Sequence, residues 1–147
     1  MRRVDYIVGR REFKTLKAEQ FMQDNVFVHS PDDTGEAMAN VMTEYGFGSV
    51  PVVDDHRHVL GIVSEFDLLK VLLGEQELAD IKASEIMTPN PITVNPDTPA
   101  MDIVRLLEER HLIRVLVVDE KGILKGVVAR RDILQGYVNA TRKAPVF

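Results

Sequence analysis

The sequence predicts an α/β fold made of two copies of one small unit, and three observations predict it. One pattern of residues recurs at an offset of 65 positions along the 147-residue chain. Runs rich in β-branched residues alternate with segments of helical periodicity. The composition, 45% hydrophobic and 28% charged, fits a globular protein with enough apolar residues for a core.

The repeat is visible without gaps when Met22 is placed over Met87. The matches keep their order over about fifty positions, and most other positions exchange one apolar residue for another. The identical pairs include Ala18 with Ala83, Val50 with Val115, Gly61 with Gly126, and Asp67 with Asp132. A match of this length indicates two copies of one structural unit.

Each copy begins with a short extended segment, at residues 26–28 in the first copy and 92–94 in the second. A polar turn with a proline leads into a helix. In the second copy Thr98 is the predicted N-cap and Pro99 the first helical residue. The apolar face of this helix consists of Met38, Val41 and Met42 in the first copy and of Ile103, Leu106 and Leu107 in the second.

Two β-branched runs follow the helix in each copy, VPVVD with VLGIVS and VLVVD with ILKGVVA. A charged turn separates the runs, at residues 54–57 and 119–122, which predicts a hairpin. A second helix closes the unit, so that each copy has the order β-α-β-β-α. Its predicted apolar face consists of Leu68, Leu69, Leu72 and Leu73 in the first copy and of Ile133, Leu134, Tyr137 and Val138 in the second.

The runs are apolar enough to be buried on both sides, so neither copy is expected to be stable alone. We expect the two copies to pack about a pseudo-twofold axis. For the residues before the first copy, a short helix covering a sheet edge and a frayed arm both stay open. The predicted boundaries are an N-terminal extension at 1–17, a first domain at 18–73, a linker at 74–82, a second domain at 83–140 and a C-terminal tail at 141–147.

Composition and motifs exclude several classes of function. The net charge of -5 argues against a nucleic-acid binder. No apolar segment approaches the roughly 20 residues that span a bilayer, and the first residues lack the apolar run of a signal peptide. The four histidines have no metal-ligand spacing, and no catalytic motif is found. We therefore expect a cytoplasmic protein that is not an enzyme and has no nucleic-acid or membrane partner.

The sequence resembles tandem cystathionine-β-synthase (CBS) domains over about residues 18–140. The resembling segments are ASEIMT, PITV, VLVVD, GVV and RDI in the second copy, and VPVVD and GIVSEFD in the first. The resemblance implies two symmetry-related clefts that hold AMP, ADP, ATP or S-adenosylmethionine as a regulatory ligand, not as a catalytic cofactor. It also implies a homodimer that passes the ligand state to an effector protein.

Asp67 and Asp132 match the ribose-binding aspartate of the family. An ionised carboxylate accepts hydrogen bonds from both vicinal hydroxyls of a ribose. Ser64 accompanies Asp67 in the first copy, whereas Ala129 stands at the matching place in the second. Ser64 and Asp67 also form the pattern of a capping box, so helix capping and ligand binding both stay open.

Adenine needs an apolar slot with backbone groups that read its edge. The candidates are Ile92, Val94, Arg114 and Val115 for the second site and Phe27, His29, Ser49 and Val50 for the first, with simple core packing as the alternative for the apolar ones. Leu116 replaces Pro51 in the second copy, which leaves the adenine geometry there open.

Phosphate groups need positive charge or the amides of a helix N-terminus. The second copy has Arg130 and Arg131 at a helix start, where the first has Glu65 and Phe66. We therefore expect nucleotides to prefer the second site. Two functions remain open, namely an adenosine-ligand sensor and a structural dimerisation module with empty clefts.

Overall fold

The computed structural model describes residues 10–141, with side chains from residue 13 onward. Short 3₁₀ turns at Ala18–Gln20 and Leu78–Asp80 accompany six helices and six strands in this part of the chain. The elements in order are α1 (Arg10–Thr15), α2 (Gly35–Tyr45), β1 (Ser49–Val53), β2 (Val59–Ser64), α3 (Glu65–Leu73), α4 (Ala83–Ile86), β3 (Thr88–Pro89), β4 (Thr93–Val94), α5 (Ala100–Glu109), β5 (Arg114–Val118), β6 (Leu124–Ala129) and α6 (Arg130–Thr141).

The chain forms two compact units that interleave in the sequence. The first-copy unit holds residues 26–92 and 121–124, and the second-copy unit holds, among the described residues, 10–25, 93–120 and 125–141. The segment that leads into each sequence copy therefore belongs to the unit of the other copy. We call residues 18–25 and 83–92 the leading segments.

The first-copy unit is built on the sheet β1-β2-β3, in which β1 and β2 form the predicted antiparallel hairpin. Strand β3, from a leading segment, adds to β2 with Ile62 opposite Thr88. All five residues of β1 are buried, as expected for a strand covered on both faces. The core of this unit consists of Met38, Met42, Val50, Val52, Val63, Leu68 and Ala83.

The second-copy unit is built on the sheet β4-β5-β6. Strand β4 runs parallel to β5, with Val94 opposite Val117. Helix α1 packs on α6, where Phe13 meets Tyr137 edge to face with ring centroids 5.3 Å apart. Of the two alternatives for the N-terminal extension, residues 10–15 therefore form a short helix, and residues 1–9 lie outside the described part.

Both leading segments are anchored by the same contacts. Ala18 N–H donates to the carbonyl of Thr98 at 2.9 Å, and the matching Ala83 N–H donates to Asp33 at 2.8 Å. Two glycines make room for them: a Cβ on Gly61 would lie 2.6 Å from Sδ of Met87, and one on Gly126 would lie 2.7 Å from Sδ of Met22. The repeat thus extends to the packing of each leading segment.

The α/β class and the two repeats are confirmed, but the strands and helix starts differ in detail from the expectation. Residues 26–28 form no strand; only His29 bridges to β1, at Val52. In the second copy the strand starts at Thr93, one residue later than expected.

The expected N-cap of the first helix in the second copy is wrong by one residue. Pro99 is the cap and Ala100 the first helical residue. The Thr98 hydroxyl is turned instead to the preceding turn, where it accepts a hydrogen bond from Asn95 N–H at 2.9 Å. Thr98 therefore closes the turn that precedes the helix.

The helices that close each unit bury only part of the expected apolar face. Leu68 in α3 and Ile133 in α6 are buried, whereas Leu69, Leu72 and Leu73 in α3 and Leu134 and Val138 in α6 are exposed. The outer positions of these two apolar faces are therefore not covered within the described part of the chain.

Candidate ligand site

Asp132 is the third residue of α6 and lies where the sheet ends. Its Oδ2 accepts a hydrogen bond from Ala129 N–H at 2.8 Å, which caps the helix. Its Oδ1 accepts a second one from Nε2 of Gln23 at 2.9 Å. Both carboxylate oxygens of Asp132, the residue expected to bind a ribose, therefore already have a hydrogen-bond partner within the chain.

Gln23 was not found from the sequence. It lies in the leading segment and pairs with Val127 of β6 through two backbone hydrogen bonds of 2.8 Å. It is 109 residues from Asp132 along the chain, so no local pattern links them. The only available signal was its place over Thr88 in the repeat, one residue beyond the matched methionines.

Arg114 begins β5 and is electrostatically coupled to Asp132. Burial lowers the pKa of the Arg114 guanidinium, while the negative charge of Asp132 acts to raise it. A half-buried cation coupled to a carboxylate offers a place for an anionic ligand group. Two of the expected second-site residues are therefore close enough to interact.

Arg130 and Arg131, the expected phosphate ligands, are both exposed. Nε of Arg130 donates to the carbonyl of Leu112 at 2.8 Å. Arg130 also lines a mostly apolar groove of about 370 Å³ between α5 and α6, together with Val104 and Leu134. Among the described residues the lining of this groove includes neither Asp132 nor Arg114.

Asp67 has the matching place in α3, and there the capping box expected as one alternative is present. Its Oδ2 accepts from Ser64 N–H at 2.8 Å and from the Ser64 hydroxyl at 3.0 Å, and Ser64 Oγ accepts from Asp67 N–H at 3.3 Å. Its Oδ1 accepts no hydrogen bond from the residues that the structure describes. Asp67 also lines a cavity of about 470 Å³ with Lys70 and Glu85.

The apolar candidates for adenine divide into two groups. Val50, Val94 and Val115 belong to the hydrophobic cores of their units. Ile92 and Phe27 are exposed, and Ile92 lies in the first-copy unit, not with the other second-site residues. The structure does not place the core valines on an open surface.

Phe27 is part of an aromatic cluster that the sequence did not reveal. Its ring centroid lies 4.5 Å from that of Tyr45 and 5.9 Å from that of Phe47. Phe27 and Tyr45 are both exposed. Ser49, a further first-site candidate, is buried at the start of β1.

His29, the last first-site candidate, is buried. Its Nδ1 lies 2.9 Å from Oδ2 of Asp33, and its Nε2 has no hydrogen-bond partner among the described residues. Burial acts to raise the pKa of Asp33, but hydrogen bonds from Ser30 and the interaction with His29 outweigh it and lower the pKa. The imidazole thus stands at a core position, which Val94 occupies in the other copy.

Two features are absent from the described part of the chain, namely a metal-binding cluster and a membrane-spanning helix. No group of three or more histidine, aspartate or glutamate side chains there could hold a metal ion. No helix within residues 10–141 is long and apolar enough to cross a membrane.

The two units define a class: a tandem repeat of α/β units, each with an aspartate three residues into its closing helix. The chain matches the CBS domain family at residues 18–74 and again at residues 83–139. It therefore belongs to the CBS domain family and carries a tandem pair, as the sequence predicted.

Relatives of known sequence include an uncharacterized protein of Methanopyrus kandleri, which is 32% identical over 123 residues, covering 83% of this chain and 63% of that protein. An inosine-5'-monophosphate dehydrogenase of Methanocaldococcus jannaschii is 31% identical over 120 residues, covering 81% of this chain and 23% of the enzyme. The chain thus spans less than two thirds of the length of these relatives.

Solved structures with the same fold include the CBS-pair protein CBSX2 of Arabidopsis thaliana, with a TM-score of 0.76 and 26% identity over 83% of this chain and 94% of that one. CBSX2 in complex with AMP gives a TM-score of 0.75 at 27% identity, over 83% and 96% of the two chains. A CBS domain pair solved with 5'-methylthioadenosine and S-adenosyl-L-methionine has a TM-score of 0.73 at 22% identity, over 82% and 94%. This last likeness supports the fold alone.

Proposed function

We propose that this protein is a regulatory module that binds an adenosine-type ligand and is not an enzyme. The observation that carries the proposal is the pair of aspartates, Asp67 and Asp132, each three residues into a helix that follows a sheet strand. A carboxylate held in this way can accept hydrogen bonds from the two hydroxyls of a ribose. The AMP complex of CBSX2, a structural relative, supports an adenosine ligand.

Phosphate groups of the ligand have two sets of candidate partners. Arg114 is coupled to Asp132 and would place a positive charge beside a ribose bound there. Arg130 and Arg131 remain proposed phosphate contacts, although Arg130 is bonded to Leu112. The ligands we propose are AMP, ADP, ATP or S-adenosylmethionine, with the signal passed to an effector protein in the cytoplasm.

The proposal is tested by calorimetric titration with these four ligands, with guanosine 5'-monophosphate as the control. An adenosine ligand is expected to bind and to raise the melting temperature, because it binds the folded state alone. Asp132→Ala is expected to cost about 1.5–3 kcal/mol of binding free energy at its site. A folded Asp132→Ala, Asp67→Ala double variant that binds AMP as tightly as the parent would contradict the assignment of both aspartates.

A structural dimerisation module is the second candidate, and exposed apolar residues on α3 favour it. Phe66 is 74% exposed and Leu73 is 89% exposed. Such a cluster is typical of a surface that meets another protein. The failure of every adenosine ligand to bind a folded, dimeric protein would favour this function over the first.

A further inference from the structure

We propose that Gln23 competes with the ligand for Asp132, so that the second-copy site takes up a ribose only when the Gln23 amide gives way. This inference rests on the proposed function of Asp132 as a ribose ligand. It concerns which of the two sites fills first, and it names the residue that decides the order.

The amide of Gln23 stands at the oxygen that a ribose would need. Nε2 lies 2.9 Å from Oδ1 of Asp132, and Ala129 N–H holds Oδ2 at 2.8 Å. The bond to Ala129 caps α6 and cannot be given up without loss of the cap. A carboxylate oxygen can accept more than one hydrogen bond, so the competition is for space and direction around Oδ1.

Gln23 is held firmly in the place from which it reaches Asp132. Its backbone exchanges two hydrogen bonds of 2.8 Å with Val127. The neighbouring Met22 packs on Gly126, where a Cβ would lie 2.7 Å from its sulfur. Because the backbone is fixed, only the side-chain torsions of Gln23 need to change for the amide to leave Asp132.

The first-copy unit lacks this competitor. The residue that matches Gln23 is Thr88, and it makes no hydrogen bond to Asp67 within the described part of the chain. Among the described residues no hydrogen bond to Oδ1 of Asp67 is found, and Ser64 binds only Oδ2. A ribose can therefore bind Asp67 without displacing a protein group, and the Asp67 site is expected to fill first with a ligand that has no phosphate.

Calorimetry with AMP in an Asp67→Ala background tests the inference, because that change leaves Asp132 as the one ribose carboxylate. Gln23→Ala and Gln23→Thr, which copies Thr88, are expected to raise the AMP affinity about threefold to tenfold, the range for loss of one competing hydrogen bond. Gln135→Ala is the matched control, because Gln135 makes one side-chain hydrogen bond, to Asn139, and none to Asp132. It is expected to leave the affinity unchanged.

The outcomes separate the inference from the proposed function. Unchanged affinity in both Gln23 variants would refute competition, and lower affinity would mean that Gln23 binds the ligand instead. If the folded parent binds no adenosine ligand, the proposed function fails. The side-chain amide signals of Gln23 in NMR, assigned by their loss in Gln23→Ala, add a direct measurement. Adenosine is expected to shift them in the parent protein, and fixed signals at saturation would overturn the inference.

Discussion

At the scale of single residues, the clearest difference between the two copies is at position 29. His29 is buried at a place where Val94 packs in the other copy, and its Nδ1 is paired with Asp33. The sequence placed His29 among the adenine candidates because it directly follows the first extended segment. It gave no sign that the imidazole faces the core, since alternation is hard to see in a segment that forms one bridge.

Protonation of Asp33 makes the stability of the fold depend on pH in the acid range. Its pKa lies below the ordinary value of 3.8 in the folded chain, because hydrogen bonds from Ser30 and the interaction with His29 outweigh burial. A lowered pKa means that the carboxylate stabilises the fold above pH 3.8 and loses this effect as the pH falls through the folded value.

Asp33→Asn is therefore expected to lower the urea midpoint above pH 3.8, and to lower it by less as the pH falls through the folded pKa of Asp33. Urea titrations across the pH range check this. Asp32→Asn is the control, because Asp32 is exposed and its ion pair with Nζ of Lys82, at 3.6 Å, lies at the surface. A difference that grows as the pH falls below 3.8 would contradict the assignment.

The candidate site was predictable in part for a physical reason. The repeat fixed Asp67 and Asp132 at matching helix starts, since the same local sequence caps the same helix. The partners of these residues could not be predicted, because Gln23 reaches Asp132 through the packing of a leading segment. The valines expected to contact adenine lie in the hydrophobic cores. Their apolar side chains fitted core packing as well as contact with adenine.

At the scale of secondary-structure elements, the two closing helices differ at their N-caps. Ser64 and Asp67 form a complete capping box at α3, with the Ser64 hydroxyl bonded to Asp67 N–H at 3.3 Å. At α6 Ala129 lacks a hydroxyl, and Asp132 supplies only the bond to Ala129 N–H. The serine therefore gives α3 a hydrogen bond that α6 does not have.

Ser64→Ala is expected to lower the free energy of unfolding by about 1 kcal/mol, the usual cost of removing an N-cap hydroxyl. The reverse change in the other copy, Ala129→Ser, is expected to raise it by up to about that amount. Urea unfolding of both variants measures the two effects side by side. Equal and small changes in both would mean that the Ser64 hydroxyl does not cap α3.

Element boundaries were less predictable than element order. The order of helices and strands in each copy follows from periodicity, and the structure has it except for the first strand of the first copy, where His29 alone forms a bridge. The extended segments at the start of each copy are shorter than expected, with one bridge at His29 and two residues in β4. A strand lasts only where a neighbour pairs with it, and the sequence does not give the length of that neighbour.

At the scale of the whole molecule, the exchange of leading segments was the part of the fold that the sequence could not reveal. Periodicity predicts which residues form an element but not which copy that element packs on. Gly61 and Gly126 mark the two contacts, because each lies under a methionine of a leading segment. A glycine in a strand suggests that another part of the chain approaches closely, but only the structure shows which residue does so.

The whole molecule also leaves apolar surface without a partner in the chain. Leu69, Leu72 and Leu73 are exposed on α3 together with Phe66, and Leu134 and Val138 are exposed on α6. Scattered exposed leucines need no explanation, but four large apolar residues within two turns of one helix do. We therefore expect a second copy of this chain to cover α3.

Sedimentation at micromolar concentration is expected to give a homodimer for the parent protein and a monomer for Leu73→Asp, because Leu73 is 89% exposed and its substitution leaves the core intact. Lys70→Ala, on the same helix, is the matched control. It is expected to remain dimeric, because Lys70 is exposed but is not one of the exposed apolar residues of α3. A parent protein that stays monomeric at these concentrations would contradict the expected dimer. A dimer that persists in a folded Leu73→Asp variant would place the interface elsewhere, on a surface without α3.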